Sequence, residues 1–266
     1  MFQNQVFVVT GGGNGIGREV VLNLLNKGAR VAALDISEKG LEETFKLANN
    51  QDNLKTYPLD ITDEKKVEET HDLIVANFNQ IDGLIHVAGI IQPFVKVMDL
   101  KLEHIKKVMD VNFYGTVYLN QIFLPELLKR DKAYLVNVSS MGGFLPVPGQ
   151  AVYGASKAAV KLMTEALHSE LIDTNVKVTV VFPGAIKTNI TGNSGVGREM
   201  TDEDAKQSSH KMLEPSKAAE LIVKGMLSKK LHVYVGGDSK MMNRIYRLAP
   251  KKATNLIAKK MGDLIK

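Results

Sequence analysis

The sequence contains no cysteine. That single absence removes disulfides, thiolate–metal sites and cysteine nucleophiles together, and a reducing, cytoplasmic setting is the expectation. No apolar stretch is long enough to cross a bilayer, and the opening residues Met1-Phe2-Gln3-Asn4-Gln5 lack the basic segment and apolar run of an export leader. The six histidines make no H-E-x-x-H pattern, and His168 has only Glu170 near it, on a different helical face, so no catalytic metal is expected. No internal repeat or low-complexity segment is present. Acidic residues are missing from one region only. From Lys240 onward Asp263 stands alone against eight Lys/Arg, whereas the rest of the chain holds 26 Lys/Arg and 28 Asp/Glu. The net charge of +5 therefore belongs to the tail.

What is present is an alternation. With 266 residues and 44% apolar content the chain is long enough for one sizeable α/β domain and short for two. Seven short apolar runs (5–10, 29–34, 54–59, 84–87, 133–138, 177–182 and 232–235) are separated by helical patterns at 16–28, 37–50, 63–79 and 99–130, by one that carries Tyr153 and runs to about residue 173, and by one from Pro215 to about residue 230. Breaks in the long fourth pattern are expected around Gly115 and Pro125. Continuous apolar strands alternating with helices imply a doubly wound, mostly parallel seven-stranded sheet of Rossmann type, covered by helices on both faces. The expected division is a single domain over 1–239 followed by a basic amphipathic helical tail, 240–266.

In such a sheet a ligand lies beyond the carboxyl ends of the strands, so the informative residues should follow strands. The first run ends in Thr10-Gly11-Gly12-Gly13-Asn14-Gly15-Ile16-Gly17. Glycines there let the backbone approach a pyrophosphate at a helix N-terminus. The spacing is G-x-x-x-G-x-G, not G-x-G-x-x-G. Asp35 closes the second run, where an acid accepts both ribose hydroxyls of NAD and repels a 2′-phosphate; Ile36, not Arg or Lys, follows it. NAD(H) is thus preferred over NADP(H). Far downstream, Tyr153 and Lys157 lie one helical turn apart on one face. A phenol works as acid and base near neutrality only if something positive stabilises its anion, and Lys157 is the candidate. Taken alone, the pair is more often a core tyrosine beside a solvated lysine.

With T-G-x-x-x-G-I-G, the acid after the second run and Y-x-x-x-K together, the sequence resembles the classical short-chain dehydrogenases/reductases over nearly its whole length, from Val6 to Val235. The resemblance implies catalytic roles for Asn112, Ser140, Tyr153 and Lys157. Tyr153 would move the proton, Lys157 would hold the nicotinamide ribose, Ser140 would bond the substrate oxygen, and Asn112 would support a water relay. It also implies cofactor contacts from Gly11, Gly13, Asn14, Gly15, Ile16, Gly17 and Asp35, from Asp60 and Ile61 at the adenine, and from Ala88 and Gly89. Tyr153 and Lys157 contribute again, with Pro183, Gly184, Ile186 and Thr188 by the nicotinamide carboxamide. His86-Val87 stands where the family usually carries Asn-Asn, which puts the side-chain bonds of those two asparagines in doubt. A homodimer or homotetramer through helices near 112–129 and 153–171 is a further implication.

The resulting expectation is an NAD(H)-dependent oxidoreductase acting on a secondary alcohol or ketone. Apolar residues at Ile90, Ile91, Phe94, Phe144, Leu145, Val147 and Pro148 favour an apolar substrate, and 189–212 would form a lid. The alternative is a catalytically silent NAD-binding regulator or scaffold on the same fold. In the tail, Met241, Ile245, Leu248, Leu256, Ile257, Met261, Leu264 and Ile265 recur at helical spacing, and Pro250 should divide it into two helices. Either this stripe packs on the domain or a second subunit, or it lies peripherally on an anionic membrane. With one aromatic, Tyr246, the tail is a poor nucleic-acid binder.

Overall fold

The strand β1 (Val6–Thr10) is buried on both sides along its whole length, which is why its five residues are apolar but for the last. In the computed structural model, which describes residues 2–48, 51–196 and 212–262, it lies near the middle of a seven-stranded sheet. The other strands are β2 (Arg30–Asp35), β3 (Leu54–Pro58), β4 (Gly83–His86), β5 (Ala133–Val138), β6 (Val176–Pro183) and β7 (His232–Val235). Their order is β3-β2-β1-β4-β5-β6-β7, and every pairing is parallel. All carboxyl ends therefore point to one edge.

Alternate residues of each strand feed two cores. Phe7, Val9, Ile85 and Val136 face helices α1 (Gly15–Asn26), α2 (Glu38–Leu47) and α8 (Pro215–Leu227); Val6, Val8, Leu84 and Leu135 face α3 (Glu64–Phe78), α5 (Gly115–Leu128) and α6 (Ala151–Glu170). The remaining helices are α4 (Leu102–Met109), α7 (Ile190–Asn193), α9 (Gly237–Leu248) and α10 (Pro250–Met261).

Two expectations need correction. The long helical pattern does break before Gly115, as a π-helical turn at Asp110–Tyr114, and α5 then starts close to Ile61: a Cβ on Gly115 would lie 2.9 Å from its Cδ1. Pro125 breaks nothing and sits inside α5. The apolar stripe of the tail is split between two faces. Ile245, Ile257 and Met261 turn inward onto Met141, Phe144, Leu145 and Val147, while Met241, Leu248 and Leu256 are exposed. Leu264 and Ile265, and residues 197–211 of the expected lid, lie outside the described residues. No described helix is long and apolar enough to cross a membrane.

Candidate active site

The glycine turn is as tight as its composition requires. Gly11 and Gly15 have φ of 69° and 51°, the left-handed region that glycine adopts without strain. At Gly17 the issue is space, since a Cβ there would lie 2.0 Å from the Gly11 carbonyl oxygen. Asn14 caps α1 with its backbone only, so the first N–H groups of the helix stay open toward the cleft. Ile16 is part-buried and packs into the core beneath.

Asp35 reaches across to this turn. Its carboxylate accepts from Gly13 N–H (2.9 Å) and Ser37 N–H (2.9 Å), and the side chain of Ile36 beside it is exposed. Arg18, one helical residue past the glycines, donates to the carbonyls of Gly13 and Gly40 and to Thr44, and pairs with Glu43 at 2.8 Å. Its hydrogen bond, and then its charge, hold the Glu43 carboxyl below the usual carboxylate range. Asp60 accepts twice from Thr62, through one carboxylate oxygen. Ile61 is buried against Gly115.

His86 fills its departure from the usual asparagine with a different bond. Its Nδ1 lies 2.7 Å from Thr10 Oγ1, which already accepts from the N–H groups of Val87 and Ala88, both at 3.2 Å. The hydroxyl must then give its own proton to Nδ1, which fixes the neutral tautomer with the proton on Nε2. Burial, reinforced by the Lys157 charge, pushes the imidazole pKa down to about 3, so it stays neutral. In this way β4 and β1 are joined at their ligand ends without the asparagine pair.

Four of the residues singled out in the sequence converge where β4, β5 and α6 meet. A Cβ on Gly89 would lie 2.9 Å from Lys157 Nζ and 3.1 Å from Asn112 Oδ1, so both polar groups crowd this glycine. Asn112, inside the π-helical turn, accepts from Ile90 N–H and donates to the Ile90 carbonyl and to Ser156 Oγ. Ser140 accepts from Gly142 N–H at 3.0 Å, and its hydroxyl stands close enough to the Tyr153 phenol to bear on its pKa. Lys157 is buried and donates to the Val138 carbonyl at 3.0 Å; burial alone brings its pKa down to about 8. Burial also raises the Tyr153 phenol above its usual value, and the group that opposes this is the Ser140 hydroxyl, not Lys157. The Lys157 ammonium, expected to stabilise the phenolate, here donates to the Val138 carbonyl.

Ser139, one residue earlier, instead donates to the Lys157 backbone carbonyl (2.7 Å) and ties β5 to α6. Pro183 ends β6 and Gly184 follows it, and Ile186 pairs as a parallel bridge with Leu213. Thr188 touches the glycine turn, its Cγ2 lying 3.2 Å from where a Gly15 Cβ would be. A cleft of about 250 Å³ opens between Asn14, Gly15, Arg18, Thr188 and Pro215. Among the described residues no cluster of His, Asp and Glu could hold a metal ion.

Sequence reasoning missed Gln92. This fully buried residue accepts, through Oε1, the N–H groups of Val152 (2.8 Å) and Tyr153 (3.0 Å), and donates from Nε2 to the Gly149 carbonyl. It caps α6 from outside the helix, at the turn that carries Tyr153. The signal was a lone amide in the apolar segment Ile90-Ile91-Gln92-Pro93-Phe94. Gln92→Leu should lower stability by about 2 kcal/mol, because two buried donors lose their acceptor. It should also lower kcat more than it raises KM; a fall in melting temperature with unchanged kcat would mean the cap serves the fold alone.

A parallel sheet with a glycine turn after β1, an acid after β2 and a tyrosine, serine and lysine at the same edge defines a dinucleotide-binding α/β protein with a candidate proton-transfer site. Residues 5–199 match the family described as short chain dehydrogenase. SadH of Mycobacterium tuberculosis, named as an oxidoreductase, is 34% identical over 263 residues, 97% of this chain and 95% of its own. Among solved structures, a short chain dehydrogenase/reductase from Burkholderia phymatum in complex with NAD superposes with a TM-score of 0.81 at 21% identity, covering 93% of this chain and 95% of that one. A short chain dehydrogenase from Burkholderia cenocepacia in complex with NADP gives 0.79 at 24%, covering 96% and 98%. The chain belongs to the short-chain dehydrogenase/reductase family. It has that family's nucleotide-binding fold and is an oxidoreductase by kinship.

Proposed function

We propose that the protein is an NAD(H)-dependent oxidoreductase that interconverts an apolar secondary alcohol and its ketone. The observation that carries this reading is the meeting of the Tyr153 phenol, the Ser140 hydroxyl, Asn112 and the buried Lys157 at the edge where the glycine turn opens. The residues fit a nicotinamide dinucleotide: Gly11, Gly13 and Gly17 let the turn pack against Ala88, Asp35 and its own backbone with no Cβ in the way, and the open N–H groups of α1 suit a pyrophosphate. When bound, the nicotinamide supplies or accepts the hydride. Tyr153 gives a proton to the substrate oxygen in reduction and takes it back in oxidation. Ser140 bonds the same oxygen as negative charge grows on it. Lys157 holds the ribose hydroxyls and keeps positive charge near the phenol. Asn112, fixed by Ile90, holds the water that returns the proton.

Asp35 supports NAD(H) over NADP(H), since a 2′-phosphate would meet a carboxylate and the adjacent Arg18 is already paired with Glu43. NADH should be used with a kcat/KM about 100-fold above NADPH, and Asp35→Ser should erode that ratio about tenfold. A wild-type preference for NADPH would overturn the assignment. Exposed Tyr114, Leu128, Leu162 and Ile172 on or beside α5 and α6 support a homo-oligomer through those helices. Part-buried Phe144, Val147 and Ile90 support an apolar substrate. A panel of aliphatic, aromatic and steroidal ketones followed by NADH absorbance tests the reading: turnover of an apolar ketone is expected, and tight NADH binding with no turnover of any would favour a nucleotide-sensing role.

A further inference from the structure

The two helices of the tail present chemically opposite faces. Inward, Met242, Ala253 and Ile257 are buried with Ile245, Tyr246 and Met261 against Met141, Phe144, Leu145 and Val147, the loop that follows Ser140. Outward, Met241, Leu248 and Leu256 are 50%, 87% and 37% exposed. Around them stand the exposed Lys240, Arg244, Lys251, Lys252, Lys259 and Lys260. Met241, Arg244 and Leu248 share one face of α9 at spacings of three and four, as do Lys252, Leu256 and Lys259 on α10.

No acid occurs between residues 240 and 262. Among the described residues no carboxylate lies within ion-pair distance of these six cations. A single exposed leucine would be ordinary, but three large apolar tips on a surface with cations and no anions are not.

Charge decides what such a face can meet. A second copy of the same face, brought up by a twofold axis, would oppose cation to cation. A nucleic acid would suit the charge but not the apolar tips, and the tail's aromatic, Tyr246, is packed near Phe144 with ring centres 6.5 Å apart, where no base can stack on it freely. An anionic bilayer satisfies both features at once, attracting the cations to its headgroups and receiving Met241, Leu248 and Leu256 in the acyl boundary.

We infer that the outer face of α9 and α10 docks on anionic lipid bilayers. Docking holds the loop after Ser140, which lies beneath the same helices, close to the phase into which an apolar ketone or alcohol partitions. That consequence for substrate supply rests on the proposed enzymatic function; the docking does not.

The test is co-sedimentation of the full chain with vesicles of phosphatidylcholine alone and of phosphatidylcholine containing phosphatidylglycerol. Sedimentation with the second and not the first is expected, with release as salt shortens the screening length. Two variants separate the contributions. Lys252→Glu with Lys259→Glu, and Met241→Ser with Leu248→Ser and Leu256→Ser, should each weaken binding at least tenfold while leaving melting temperature, NADH binding and turnover of a water-soluble ketone unchanged. Equal binding to both vesicle types, no binding to either, or variants that bind like the wild type would overturn the inference. A charge-reversal variant that changes the oligomeric state would also overturn it, by making the face a subunit contact. A protein that docks but turns over no ketone keeps this inference and sinks the enzymatic reading.

Discussion

Tyr153→Phe should reduce turnover by about 1,000-fold while leaving NADH affinity within about twofold of the wild type. Only a hydroxyl is removed, and the ring keeps its contact with the turn at Gly142, where a Cβ would lie 3.4 Å from Tyr153 Cε1. Ser140 retains its bond from Gly142 N–H, so its hydroxyl stays in position while the proton donor is gone. The raised phenol pKa fixes the sign of the pH dependence in the wild type. Reduction needs the neutral phenol, so its rate should be level through neutrality and fall at alkaline pH. Oxidation needs the phenolate, and its rate should climb as pH rises. Steady-state rates in both directions with a titration of NADH fluorescence check this; a phenylalanine variant with near wild-type turnover would remove Tyr153 from the chemistry.

Lys157→Met should cost a comparable factor in turnover, and about tenfold in NADH affinity as well, because this side chain is assigned to both the phenol and the ribose. Its effect on stability should run the other way. Burial lowers the Lys157 pKa from 10.5 to about 8, so between those values the unfolded chain holds more protons than the folded one. Stability therefore rises with pH across that window, and at neutral pH the buried charge costs roughly 3 kcal/mol. A methionine of similar length carries no such cost, although the Val138 carbonyl loses its donor. The variant should melt no lower than the wild type at pH 7 and should lose the rise in stability between pH 8 and 10.5. A fall in melting temperature of several degrees would show that the lysine is held for structure.

The parts legible in the sequence are those whose cause is local. Strand and helix alternation depends on runs of neighbouring residues, and the sheet in which Val6–Thr10 lies could be drawn from it. The glycine turn and the Tyr153–Lys157 spacing also depend on a few consecutive positions. Illegible were the features made by residues far apart in the chain. Gln92 caps a helix that begins 59 positions later, and the lone amide in its apolar segment does not say which groups it bonds. His86 takes its partner from Thr10 on the neighbouring strand, a pairing fixed by the register and invisible in either segment. The tail failed differently. Its apolar residues follow helical spacing, but spacing alone assigns them to one stripe, and only the packing of Met242 and Ile257 on Leu145 shows which way each helix turns. Likewise the phenol's environment was read as lysine-dominated because charge is visible in a sequence and desolvation is not.

The strand order carries a consequence for how the chain can be made. As residues leave the ribosome, β2 and then β3 add to one side of β1, and β4, β5, β6 and β7 then add in turn to the other. Each new strand finds an existing edge, and none has to be inserted between two that have already paired. Synthesis from the N-terminus can therefore extend the sheet without undoing earlier hydrogen bonds. The last addition closes the turn after β6, the one assigned to the nicotinamide. Asp238 and Ser239, at the start of α9, bond Ala185 N–H and the Phe182 carbonyl, so the turn after β6 is locked only once these two residues, near the end of the chain, have emerged. A nascent chain stalled before that point would hold a nearly complete glycine-turn half beside an unfinished reaction site.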